Sequence, residues 1–269
     1  MICTATPDLE PPQGYYRYHT GSSAKQLTVF CDFDGPIIDV SNRYYSTYKL
    51  ALADTKAICQ DRGLILPIQE MSKEQFWLMK QNRIADVEIA MRSGLQGDAI
   101  NFFLGRVIEI VNDPELLSKD RLQPGVSWGL ALLHSYGIKL VLVTLRCQSQ
   151  ATQILRNYGL TRLFSGIYGT SDSDAAYQNN ADGKTQLLAS AISEHCPLPG
   201  GETSAWMVGD TEADILAAQA LSIPCIALTC GIRSQLYLKK FQPNHICSDL
   251  LTAAHFLVNV KKGVSWGGV

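Results

Sequence analysis

Two aspartates, Asp32 and Asp34, stand two residues apart at the end of the apolar run Leu27, Val29, Phe30, Cys31, and the turn Gly35-Pro36 follows at once. In a strand, residues i and i+2 point to the same face. A strand ending here therefore aims both carboxylates one way, at the carboxyl edge of a sheet, where open α/β folds bind ligands. Paired carboxylates can hold a hard cation such as Mg²⁺, and an aspartate can attack phosphorus. Taken alone, the same string also fits a calcium loop or an ordinary turn.

Three later segments add to the pair. Val141-Leu142-Val143-Thr144 reads as an apolar strand ending in a hydroxyl. Lys184 opens an amphipathic helix after Asp182-Gly183. Ala205 to Val208 reads as a third strand that runs through Gly209 into Asp210, with Thr211 at a helix start and Asp214 one turn further on. Residues four apart share a helix face, so Asp210 and Asp214 would face the same side. In this order the set resembles the four motifs of the haloacid dehalogenase superfamily, over about residues 27–258. Within it, the nearest likeness is to phosphoglycolate phosphatase and β-phosphoglucomutase.

The resemblance implies roles. Asp32 would be the nucleophile, forming an aspartyl phosphate. Asp34 would be the general acid and base, and its presence separates phosphatases of this superfamily from dehalogenases. Phosphate contacts would come from Phe33, Asp34, Thr144, Leu145 and Lys184. Mg²⁺ would be held by Asp32, Asp34 (through its main-chain carbonyl), Asp210 and Asp214, the last through water or by orienting Lys184. Asp39 would start the hinge or cap the first inserted helix. Gly231-Ile232-Arg233 resembles a Gly-x-Arg loop of phosphoglycolate phosphatase-like members, with a structural role. Two positions depart from the pattern: Pro36 stands where Thr is most frequent, and Leu145 where many members have Asn. Arg146 would supply charge there or face solvent.

The elements that must position these residues follow from periodicity. Residues 41–120 read as helical throughout. Tyr44, Tyr48, Ala51, Leu52 and Thr55 make one face, Phe76, Met79 and Lys80 a second behind the cap Ser72, Ile84, Val87, Ile89 and Met91 a third, and Ile100 to Val111 a fourth. Helices and strands then alternate: strands at 139–144, 166–169, 205–208, 224–228 and 245–247, and helices at 126–136, 150–158, 184–195 and 211–221. Strands that are apolar throughout are covered on both faces, and β-α alternation gives a parallel sheet. The fold class is α/β, a Rossmann-like parallel sheet core at 26–40 and 121–260 with an all-helical cap at 41–120. An arm (1–25) and a mobile tail (261–269) flank it. In the resembled family such a cap closes over the site and selects the leaving group. Arg43, Trp77, Lys80, Arg83 and Arg92 are its candidate substrate contacts.

Composition narrows the setting. The chain has 269 residues, 46 % of them hydrophobic, and a formal charge of −2. That charge offers no whole-molecule attraction to nucleic acid or anionic membrane. There is no apolar run of about 18 residues to span a membrane, and residues 1–7 lack the basic start of a secretory signal. The eight cysteines include no Cys-x-x-Cys spacing, which reads as free thiols in a reducing cytoplasm rather than zinc ligands.

The expected function is Mg²⁺-dependent hydrolysis of a small phosphorylated metabolite; the oligomeric state is open, and an exposed cap face leaves room for a homodimer. A phosphomutase would share every motif. A phosphonate hydrolase would need a cap lysine able to form a Schiff base, and Lys49, Lys56, Lys73 and Lys80 show no obviously apolar setting. A catalytically silent binding subunit would be expected to lack at least one of Asp32, Asp34, Thr144, Lys184, Asp210 and Asp214, and none is missing.

Overall fold

A computed structural model describes residues 26–172, 174–196 and 203–263. The expected arm, and residues 264–269 of the expected tail, lie outside them.

Strand β1 (Gln26–Cys31) is buried beyond its first residue. The chain then forms β2 (Ile38–Asp39) and enters α1 (Ser41–Asp61), α2 (Lys73–Gln81), α3 (Asp86–Arg92), α4 (Asp98–Ile110) and α5 (Pro114–Leu117). It returns through β3 (Arg121–Leu122), which pairs antiparallel with β2. Exit and re-entry of the helical insert thus share one short ribbon. Next come α6 (Val126–Ser135), β4 (Lys139–Cys147), α7 (Gln148–Asn157), β5 (Gly166–Thr170), α8 (Ala175–Gln178) and α9 (Ala181–His195). The chain ends with β6 (Thr203–Gly209), α10 (Glu212–Ala220), β7 (Cys225–Leu228), α11 (Gln235–Lys239), β8 (His245–Cys247) and α12 (Leu250–Lys261).

The main sheet has the order β5-β4-β1-β6-β7-β8, and every pairing in it is parallel. Alternate residues of one strand feed two apolar layers. Val29, Cys31, Leu140, Leu142 and Val208 face α6, α7 and α12, while Phe30, Val141, Val143 and Met207 face α9, α10 and α11. This is the two-sided burial expected of an all-parallel sheet. The first layer runs on through Ile37, Ile38 and Val40 into the helical insert, whose interior is Tyr48, Phe76, Phe103 and Val107. There Tyr48 stacks on Phe76 with ring centroids 4.9 Å apart, and its hydroxyl lies 2.9 Å from Ser93 Oγ.

Several elements differ from the sequence reading. The β2–β3 ribbon and the one-turn helices α5 and α8 are too short to leave a periodic trace. In α3, Val87 and Met91 are exposed; of the expected face the helix buries Ile89, and it buries Ala90 beside it. Helix α12 carries its own signal: Leu250, Ala253, Ala254, Leu257 and Val258 are buried at spacings of three and four, and Asp249 accepts a hydrogen bond from Thr252 N at its start. Strand β4 runs three residues past Thr144, because a register shift between Val143 and Cys147 keeps the chain extended.

Candidate active site

Sheet order brings the motif residues together. β1 lies between β4 and β6, with Cys31 beside Leu142 on one side and Val208 on the other. Asp32 follows Cys31 directly, and Asp32 N donates to Val208 O at 2.9 Å. Thr144 and Asp210 each lie two residues beyond their strand's partner of Cys31. The chain moves outward one way through β4 and β5, then resumes on the other side of β1 at β6. That reversal opens the crevice where α/β folds bind ligands.

Lys184 enters from the first turn of α9, the helix packed on the Phe30 face, and it is 1 % exposed. Its Nζ lies 2.7 Å from Asp32 Oδ1 and 2.8 Å from Asp214 Oδ1. Burial alone would drive the ammonium toward losing its proton, but Asp214 and Asp32 outweigh it and hold the pKa above the ordinary lysine value. Asp214 Oδ2 turns back to accept from Asp210 N, Thr211 N and Thr211 Oγ1, capping α10. One carboxylate thus both starts a helix and orients the lysine.

Asp32, Asp210 and Asp214 each present an oxygen within 4.8 Å of the others, and all three are buried. Burial raises the Asp32 pKa to about 7, Lys184 pulling it down and Asp214 pushing it up. Asp210 lies well above the ordinary carboxylate range, through burial and then the charges of Asp32 and Asp214. Asp210 Oδ2 accepts from Ile232 N at 2.5 Å, whereas Oδ1 is buried with no hydrogen-bond partner among the described residues. Three clustered carboxylates, one with an orphaned oxygen, fit a hard divalent cation that the all-oxygen donor set would favour. The side chain of Asp34 is not in this cluster.

Asp34 points instead into a ring of charge. Arg43 Nη2 lies 3.2 Å from Asp34 Oδ2, and Arg43 Nε 3.0 Å from Asp120 Oδ1. Arg146 Nε lies 2.9 Å from Asp34 Oδ1, and its Nη2 2.6 Å from Asp120 Oδ2. None of the four side chains is more than 8 % exposed. Arg146 is therefore a buried ion-pair member, not a solvent-facing residue, and its guanidinium sits over the Phe33 ring at 5.4 Å. Asp120 escaped the sequence reading, because it lies 77 residues from Arg43 in sequence and only the fold brings them together. The signal available for Arg146 was a charged residue closing an otherwise apolar strand.

The other phosphate-contact candidates fall beside these groups. Arg146 N donates to Thr144 Oγ1 at 3.1 Å, so the hydroxyl keeps its own proton to donate. Phe33 and Leu145 are buried side chains that can offer only backbone groups.

The insert meets the core around the crevice at several places. Arg43 of α1 is one. At another, Ser234 N donates to Gln81 O at 2.9 Å and Arg233 Nη1 to Lys80 O at 3.1 Å, while Arg233 also pairs with Glu212 at 2.8 Å. The Gly231-Ile232-Arg233 loop thus holds a site carboxylate through Ile232 and the insert through Arg233. Asp39 accepts from Ser41 N at 2.8 Å, at the start of α1.

Among the remaining insert candidates, Trp77 packs edge-on against Tyr44 at 6.4 Å, Arg83 pairs with Glu212, and Arg92 is an exposed partner of Glu88. Lys80 corrects the sequence reading, which found no cap lysine in an apolar setting. It is 7 % exposed, and burial lowers its pKa against the opposing charge of Asp86. Its Nζ lies 2.8 Å from Asp86 Oδ1 and 3.3 Å from Tyr177 Oη.

The seven cysteines among the described residues are free: Cys31 and Cys225 are buried thiols, and Cys247 is half-buried. No helix among the described residues is long and apolar enough to cross a membrane.

Comparison with known proteins agrees with this geometry. The family described as haloacid dehalogenase-like hydrolase matches residues 29–228. A probable phosphatase, IndB, from Dickeya dadantii is 25 % identical over 244 residues, covering 88 % of this chain and 96 % of that protein. A 5'-nucleotidase from Pseudomonas aeruginosa is 30 % identical over 50 % of this chain and 57 % of its own length. A phosphoglycolate phosphatase from Mesorhizobium japonicum is also 30 % identical, over 50 % of this chain and 56 % of its own. The chain thus spans nearly all of the first relative and little more than half the length of the other two. A solved haloacid dehalogenase-like hydrolase from Streptococcus pneumoniae superposes with a TM-score of 0.60 at 21 % identity, over 86 % of this chain and 98 % of that one. With the family matched from β1 to β7 and its motif residues gathered at the carboxyl edge of the sheet, the chain belongs to the haloacid dehalogenase-like hydrolases and is an enzyme of that family similar to its phosphatases.

Proposed function

We propose that the protein hydrolyses a small phosphate monoester with Mg²⁺ as cofactor, through an aspartyl phosphate on Asp32. The observation that carries this reading is Lys184 bridging Asp32 and Asp214 beside Asp210, with a second carboxylate, Asp34, two residues from the nucleophile. A Mg²⁺ ion held by Asp32, Asp210 and Asp214 would offset the charge of the incoming phosphate. An Asp32 oxygen bonds to phosphorus as the ester P–O bond breaks, and the leaving oxygen keeps that electron pair and takes a proton from Asp34. Water then attacks phosphorus and gives its proton to Asp34, and the Asp32 carboxylate departs with its electrons. Lys184 and Thr144 donate to the phosphoryl oxygens as charge builds. Release of inorganic phosphate from p-nitrophenyl phosphate is expected with Mg²⁺ and not with EDTA. A protein that released none, from this ester or from a broad set of phosphorylated metabolites, would overturn the reading. A phosphomutase would use the same residues and differ in returning the phosphoryl group to a second hydroxyl. A phosphonate hydrolase is disfavoured, since Asp86 and Tyr177 engage the Lys80 amine.

Cation binding has a predictable pH dependence. The pKa of Asp32 is raised, so the metal-free fold holds a proton there that the unfolded chain has already released. This group's contribution to stability therefore falls as pH rises from the ordinary carboxylate value to about 7. A cation replaces that proton, so its stabilising effect grows over the same range. At a concentration a hundred times its dissociation constant at pH 8, Mg²⁺ should raise the melting temperature by roughly 5–10 °C at that pH, and the same concentration should raise it by clearly less at pH 5. Thermal unfolding at the two pH values checks this, and an equal shift at both would contradict it.

A further inference from the structure

The proposed mechanism gives Asp34 a proton to deliver but does not say what aims it. Its two nearest charged neighbours are guanidinium groups from different parts of the chain: Arg43 on α1 of the insert and Arg146 on β4 of the core. Two unopposed arginines would bind a carboxylate too firmly for it to turn toward a leaving group. Asp120 changes that balance. It takes Nε of Arg43 on one oxygen and Nη2 of Arg146 on the other, so each arginine divides its fork between two aspartates. The ring is neutral in sum and lies at the point where the chain comes back into the core, one residue before β3. It is built without any of the three clustered carboxylates, so nothing in the phosphate-attacking machinery requires it. A buried ring of four charges costs desolvation, and hydrophobic residues of like volume would often serve stability as well.

We propose, on the basis of the phosphatase reading above, that Asp120, Arg43 and Arg146 are positioning residues that fix the direction of the Asp34 carboxyl for proton transfer to the leaving oxygen. Asp120 itself does not touch substrate. It sets how much of each guanidinium is left for Asp34, and Arg43 makes that setting depend on where the insert sits. The same contact would read out insert closure at the proton donor.

The distinguishing measurement is the dependence of kcat/KM, which reports the leaving-group step and not the later hydrolysis common to all esters, on leaving-group basicity across 2,4-dinitrophenyl, p-nitrophenyl and phenyl phosphate. A dinitrophenolate departs without help, whereas a phenolate needs its proton. In Asp120→Asn, kcat/KM on phenyl phosphate should fall by roughly tenfold to a hundredfold, while that on 2,4-dinitrophenyl phosphate changes by less than about threefold. In an Asp34→Asn background, Asp120→Asn should add no further loss on phenyl phosphate. Arg43→Lys keeps the charge but cannot span both aspartates, so it should steepen the series in the same way, and it decides the matter if Asp120→Asn does not fold. Equal losses across the three esters, or a full additional loss in the Asp34→Asn background, would overturn the proposal. A wild-type protein inactive on all three and on a broad set of phosphorylated metabolites would instead overturn the phosphatase reading, and this inference with it.

Discussion

Asp32→Asn is expected to lower phosphate release by a thousandfold or more while leaving the protein folded. The two halves of this result have separate causes. The amide has nearly the volume of the carboxylate but cannot act as a nucleophile, so the proposed covalent intermediate would not form. The fold survives because a charged Asp32 is costly where it stands. Burial pushes its pKa to about 7, and Asp214 and Asp34 push the same way. A neutral side chain removes that repulsion, and Lys184 keeps Asp214 at 2.8 Å. The melting temperature should therefore move little, within about 1 kcal/mol of stability in either direction. Phosphate release and circular dichroism on the same preparation check both halves. A variant that still turned over would dispose of Asp32 as nucleophile.

Lys184→Met is the second large effect, and here activity and stability fall together. The lysine is the cation that faces both Asp32 and Asp214 in the buried cluster. Methionine has similar length and no charge, so the variant buries two carboxylates beside a third with nothing to offset them. Removing one partner of a buried ion pair costs about 3–5 kcal/mol, which for a chain of this size lowers the melting temperature by roughly 10 °C. The loss should be smaller at pH 5 than at pH 8, because protonation of the cluster relieves the repulsion at low pH. The double variant Lys184→Met with Asp32→Asn should regain much of the stability and none of the activity. Thermal unfolding of the three variants at two pH values tests this. A single variant as stable as wild type at pH 8 would mean that the cluster is neutralised by something other than the lysine.

The contrast between these variants shows what the chain made legible. Asp32, Thr144, Lys184 and Asp210 could be read from sequence because each stands at the end of an apolar strand or the start of a helix. The structure sets Lys184 against Asp32 and Asp214 across a sheet whose parallel order was also legible, from strands apolar on both faces. Arg43, Asp120 and Arg146 could not be assembled in this way. Their partners lie on different elements, and no periodicity links residue 43 to 120 or 120 to 146. The ribbon of Ile38–Asp39 and Arg121–Leu122 is two residues wide, below the length at which alternation can be seen. Lys80 looked like a solvated helix residue because its burial comes from Tyr44 and Tyr177, the second of which is 97 residues away. What local pattern cannot carry is charge pairing between distant segments, and the surroundings of Asp34 consist of little else.

Asp210 is bracketed by two glycines. A Cβ at Gly35, where φ is +98°, or at Gly231 would overlap its carboxylate. Backbone therefore closes on this side chain from two directions, and Ile232 N pins one of its oxygens. A carboxylate so enclosed has little room to swing outward. Calcium takes six to eight oxygens at about 2.3–2.6 Å in flexible geometry, whereas magnesium takes ligands at about 2.0–2.1 Å and keeps several waters, so it needs few protein oxygens. In the proposed Mg²⁺ site the glycines would act as a gauge of ionic radius: by denying Asp210 the room to retreat, they would bias the cluster toward the smaller ion.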